Sequence, residues 1–167
     1  MRNIAFYGGN AVGVLGPVSD VVLFFDCVKS FAEFDRPELD WTVLTDKLLR
    51  RYVGIDSVDQ AKARMDDVKL LFRRVPATAV EWNEPMRGDP AKTTLDHTLP
   101  TLADVFEKYF EHFDWCVRSS KSFHETWGYE VPIRTIISDM PGMMVDTRRP
   151  LSEYDAVAAD DKPFWLR

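Results

Sequence analysis

Residues 57–76 read SVDQAKARMDDVKLLFRRVP, and this stretch decides the fold. Ser57 and Gln60 have the spacing of a capping box, in which the serine hydroxyl takes the Gln60 amide and Gln60 reaches back. Val58, Ala61, Met65, Val68, Phe72 and Val75 then recur at helical spacing and line one face through about five turns. Lys62, Lys69 and Arg73 share another face, and Pro76 ends the helix. Just beyond, residues 78–82 (TAVEW) are predicted to form a strand. A helix with one apolar face has to pack against something, and the flanking sequence supplies it.

Toward the N-terminus, residues 41–53 predict a shorter helix. Asp40 is its cap, Leu44, Leu48, Leu49 and Tyr52 are its stripe, and Gly54 is its stop. Residues 18–34 predict another. Val21, Phe24, Phe25, Val28, Phe31 and Ala32 hold the i, i+3, i+4, i+7 rule, and Leu23, Cys27 and Phe34 widen the stripe. Pro17 precedes this helix, and Asp35-Arg36-Pro37 ends it. The first residues, 3–8 (NIAFYG), form a strand that returns through Gly9-Asn10 over 11–15 as a hairpin. Toward the C-terminus, residues 83–100 carry three prolines, one glycine and no apolar period, so they form a long loop. Leu102, Val105, Phe106, Tyr109, Phe110, Phe113 and Val117 mark the longest helix, stopped by Gly128. Residues 133–138 are a β-branched strand, and 143–145 are read as one more short strand. Strands do not alternate with regular helix units. The fold class is therefore α+β: one domain over 1–167, with four main helices and a small, mainly antiparallel sheet.

Composition narrows function. The chain has 167 residues, 46% hydrophobic, enough for a core and too many for global disorder. Lys and Arg number 21 against 27 Asp and Glu, a net charge of −6. A general nucleic-acid binder needs a basic face, so direct nucleic-acid binding is not expected. Residues 47–75 hold 8 basic and 4 acidic side chains, and the segments on either side are acidic. Glycines interrupt any apolar signal segment, and the longest unbroken apolar run, residues 21–25, is far short of the ~20 residues a membrane helix requires. No membrane contact is expected, and a cytoplasmic protein with reduced, buried Cys27 and Cys116 is the expectation.

Chemical motifs were tested one at a time. Residues 7–13 (YGGNAVG) follow a strand, but the dinucleotide fingerprint needs glycine where Asn10 stands, and the phosphate loop needs lysine where Val14 stands. The glycines are read as a tight turn. His112 and Cys116 are four apart on a helix, but a zinc site needs four ligands, so no metal and no cofactor is expected. His124-Glu125 opens like a zinc-protease signature and fails at Gly128. Both cysteines sit in apolar stripes, where thiols are inert. Asp66-Asp67 points two ways on a helix and is read as solvated surface, and no serine elbow occurs. No catalytic residue is assigned. The remaining signal is acids beside aromatics. Glu81, Glu84, Asp89 and Asp96 lie in or beside the long loop, and Glu153, Tyr154, Asp155, Asp160 and Asp161 lie near the end. Acidic rims with tyrosine or tryptophan anchors suit a basic protein partner, so these nine are the candidate contact residues. Trp82 and Trp165 themselves are read as core.

The block 48–82, LLRRYVGIDSVDQAKARMDDVKLLFRRVPATAVEW, has a distinctive order. A short helix ends in Tyr52. A capped helix follows with Ala61, Met65 and Phe72. Val75-Pro76 then leads to a segment ending in Trp82. With the first strand and the aromatic helix from Leu102, it resembles the immunity proteins of bacterial polymorphic toxin systems, most nearly the immunity protein 70 family. The clear similarity spans about a fifth of the chain and rests on packing residues. It implies a non-enzymatic, cytoplasmic protein. Such a protein binds and neutralises one cognate toxin C-terminal domain delivered by contact-dependent growth inhibition. With the acidic balance, that toxin is expected to be a nuclease such as a tRNase or DNase, whose active site is basic. The alternative is a small enzyme or small-molecule-binding domain with a pocket beneath residues 8–15.

Overall fold

A computed structural model describes residues 3–82, 93–138 and 163–166. Strand β1 (Asn3–Gly8) and strand β2 (Ala11–Pro17) form the predicted hairpin. Gly9 takes φ +59° at the turn, a conformation that residues with a Cβ rarely adopt. Ala5 pairs with Val14 and Ile4 with Gly16, so the register shifts between them and Leu15 is the extra residue of a bulge. Strand β3 (Arg134–Ile137) pairs antiparallel on the other side of β1, giving the order β2-β1-β3.

The pleat sends alternate side chains to two faces. Ile4 and Phe6 join the main core, while Ala5, Tyr7 and Ile136 form a second small cluster with Val131 on the opposite face. Helix α1 (Val18–Cys27) follows Pro17 directly. It continues over Val28–Glu33 in wider turns closed by i→i+5 hydrogen bonds, as does a second helical segment over Val43–Leu48. Helix α2 is Val58–Phe72, with Val58, Ala61, Met65, Val68 and Phe72 buried as their spacing predicts. A short helix α3 (Leu102–Val105) precedes the long helix α4 (Glu107–Trp127), which Gly128 ends in the left-handed conformation at φ +76°. Phe24 is the hub where these elements meet. Its ring lies 5.2 Å from Phe106, 4.9 Å from Tyr109, 5.9 Å from Phe110 and 6.4 Å from Phe72. Such edge-on and tilted pairs add to the area that each ring buries.

The α+β class holds, and so do the hairpin, the α2 stripe from Val58 to Phe72 and the Gly128 stop; α2 ends at Phe72, so Val75, expected on the stripe, lies beyond the helix and is half-buried. Other details differ. Ser57 makes no capping hydrogen bond; its hydroxyl accepts from Lys47 Nζ at 3.2 Å. The capping box sits instead at Thr101 and Asp104. Residues 78–82 do not make a strand. A single tight turn, Ala77–Ala79, folds the segment on itself, and the Trp82 indole N–H donates to the Ala77 carbonyl at 2.8 Å. Phe34 is 84% exposed rather than part of the stripe, because the wide turns before it advance each residue by a smaller angle. Trp165 is fully buried and donates to the Leu49 carbonyl at 2.9 Å, as a core residue should. Residues 143–145 lie outside the described residues.

Candidate protein-binding patch

The segment that closes on Ala77 carries Trp82 out to the loop. There its ring stacks on His97, with centroids 5.3 Å apart and planes 18° off parallel. This stack brings two of the sequence-predicted acids into one patch, because Glu81 precedes Trp82 and Asp96 precedes His97. Both acids are exposed. Asp96 accepts from the Thr98 hydroxyl and, at 3.1 Å, from the Thr98 N–H. These bonds, the hydroxyl's foremost, hold its carboxyl below the usual carboxylate range and keep it charged. Trp82 is half-buried, packing on the core with one side only.

Glu81 also stands at a cleft of about 290 Å³ between α1 and the Ala77–Ala79 turn. Asp26 and Ser30 line the cleft from the point where α1 passes into its wide turns, with Leu23, Phe31 and Val80 as apolar walls. Single wide turns inside helices occur mostly at functional sites, where they re-aim side chains. Two carboxylates and a hydroxyl above apolar walls suit a long basic side chain, whose stem packs while its head pairs. Asp26 and Ser30 were not singled out from sequence. Asp26 interrupts the apolar run VVLFFDCV, which was the one available signal. Glu84, Asp89, Glu153, Tyr154, Asp155, Asp160 and Asp161 lie outside the described residues.

Part of the basic segment is paired with acids. Lys62 pairs with Asp66 at 2.5 Å and with Asp114 of α4 at 3.0 Å, Arg64 with Asp67 at 3.3 Å, and Arg50 with Asp46 at 2.5 Å. Lys121 of α4 returns the contact to Asp59 at 2.5 Å. These pairs are part-exposed, and each is worth at most about 1 kcal/mol. Their effect is to tie α2 to α4 and to use the positive charge internally.

Two buried groups, Cys116 and Tyr109, are held in their protonated forms. Burial pushes the Cys116 thiol up to about 12, so it stays protonated. Burial, and then the Asp20 charge, raise the Tyr109 phenol well above its ordinary value. Asp20 is itself buried and accepts from the Thr93 hydroxyl at 2.7 Å, the Thr94 N–H at 2.9 Å and the Thr94 hydroxyl at 3.0 Å, pinning the loop to α1. Among the described residues no group of three or more His, Cys, Asp or Glu is placed to hold a metal ion. Helix α4 packs closely against the glycine turn at Gly9 and Gly13. A Cβ on Gly13 would lie 2.4 Å from the His112 Cβ, and one on Gly9 would lie 2.5 Å from Ser119. Among the described residues no helix is long and apolar enough to cross a membrane. Compared with protein-family models, curated proteins and solved structures, the chain matches none.

Proposed function

We propose that the chain is an immunity protein, which neutralises a nuclease toxin domain by covering its basic substrate-binding face. The observation that carries this reading is the patch around the Trp82–His97 stack. The exposed acids Glu81 and Asp96 each precede one of the two stacked rings in the chain, and Glu81 lines a cleft together with Asp26. Nuclease active sites are basic because they hold phosphates. A patch of carboxylates around a half-buried aromatic meets such a surface with complementary charge and a central anchor. The net charge of −6 steers the encounter. The pairing of Lys62 and Arg64 with Asp66, Asp114 and Asp67 is consistent with the same reading, since it offsets part of the positive charge of α2.

The test is calorimetric titration against the toxin domain encoded beside this chain. A one-to-one complex at micromolar concentration or tighter is expected. Glu81→Lys and Asp26→Lys should each weaken it about tenfold or more, as charge reversal at an interface does. Asp66→Lys on the far helix should leave it unchanged. Absence of any complex at micromolar concentration would end the reading.

A further inference from the structure

The outer face of α4 carries a second groove, unrelated to the acidic patch. The stripe Tyr109, Phe110, Phe113, Cys116, Val117 and Ser120 turns into the core. Trp115, Arg118, Ser122 and Thr126 therefore fall on the opposite side, each three or four residues from the next and so one turn apart. Trp115 is 44% exposed and Trp127 63%, unusual for residues of this size. The hairpin tip closes one side of the groove. Ser119 Oγ donates to Asn10 Oδ1 at 2.6 Å and accepts the Asn10 N–H at 3.0 Å. That fixes the Asn10 side chain and commits its carbonyl oxygen, leaving the amide hydrogens as its remaining donors.

The open groove has a volume of about 390 Å³, within the range of small-ligand sites. Its lining is a donor set: a guanidinium, serine and threonine hydroxyls, and an amide. Among the described residues no carboxylate lines it. Phe123 packs 6.3 Å from Trp127 and 5.3 Å from Tyr129, which braces the indole from behind. A planar ring offers a π-face to the exposed indoles, and an oxyanion satisfies Arg118 with its neighbouring hydroxyls. The ligand class that carries both on one small frame is a phosphorylated nucleoside. We infer that this groove binds a nucleoside monophosphate, with its base stacked on an indole and its phosphate held by Arg118 with the Ser122 and Thr126 hydroxyls. Stacking on an aromatic side chain is tolerant of base identity, so the site discriminates by phosphate more than by base.

The test is a titration of the ¹⁵N-labelled protein with adenosine monophosphate, following the indole N–H resonances. Trp115 and Trp127 should shift saturably at millimolar ligand, while the core residues Trp41 and Trp165 stay in place. Adenosine, which lacks the phosphate, and ribose 5-phosphate, which lacks the base, should each bind about tenfold more weakly. Arg118→Gln should weaken the nucleotide and leave adenosine unchanged, and Trp127→Ala or Trp115→Ala should weaken both. No saturable shift with the nucleotide, or binding indifferent to all three substitutions, would overturn the inference. Ribose 5-phosphate binding as well as the nucleotide would also overturn it.

Discussion

Cys116 lies under the hairpin with its thiol pushed up to about 12 by burial. A Cys27→Ser variant leaves it as the sole thiol, since the chain has two cysteines. At about pH 8.5, near the value of a free thiol, iodoacetamide should leave the folded variant unmodified and label it fully in denaturant. Labelling of the folded protein at a free-thiol rate would contradict the burial. His112 makes a pH prediction. Burial, and then the Lys108 charge, lower its value from 6.5. The unfolded chain therefore takes up this proton at higher pH than the folded one, and stability falls as pH drops through about 6.5. Urea midpoints should be lower at about pH 5.5 than at about pH 7.5, and His112→Gln should flatten that difference. An unchanged difference would assign the effect to other groups.

At the scale of elements, the hairpin and α4 touch backbone to side chain because Gly13 has no Cβ. Gly13→Ala puts a methyl 2.4 Å from the His112 Cβ and should cost about 1–3 kcal/mol in urea unfolding. A neutral result would mean that strand and helix are not so closely packed. Asp20 joins α1 to the loop at 93–94 through three accepted bonds. Asp20→Ala leaves those donors orphaned, which should cost about 3 kcal/mol and speed Thr94 amide exchange. Slow Thr94 exchange in the variant would show that the loop is held by other contacts. These elements were legible in the sequence where one period ran unbroken. The α2 stripe and the Gly128 stop follow from residue spacing alone, and the hairpin follows from Gly9-Asn10 between two apolar runs. The wide turns of α1 were not legible, because α and wider turns read alike until Phe34 lands in water. Nor was the turn at 77–79, where an indole bond from Trp82 overrides the strand propensity of TAVEW. The patch was half legible. Acid and aromatic composition pointed to Glu81 and Asp96, but their adjacency depends on a ring stack across a long loop. Asp26 carries no signal beyond interrupting an apolar run. Trp115 and Trp127 were visible as tryptophans off the buried stripe, a signal that composition alone does not weigh.

For the whole molecule, ion pairs Lys62–Asp114 and Lys121–Asp59 tie α2 to α4, while Glu81 and Asp96 precede the two rings of one aromatic stack and Asp26 shares a cleft with Glu81. On the proposed reading, such a distribution acts by contact and potential. Its effect on a nuclease partner should be stoichiometric and should weaken as salt screens the charges. The most direct measurement is a titration of the adjacent toxin domain's nuclease activity with this protein. Cleavage should fall linearly to zero at one equivalent, and the Glu81→Lys, Asp26→Lys double variant should require a large excess. Full cleavage in the presence of excess wild-type protein, or equal inhibition by the double variant, would contradict the account.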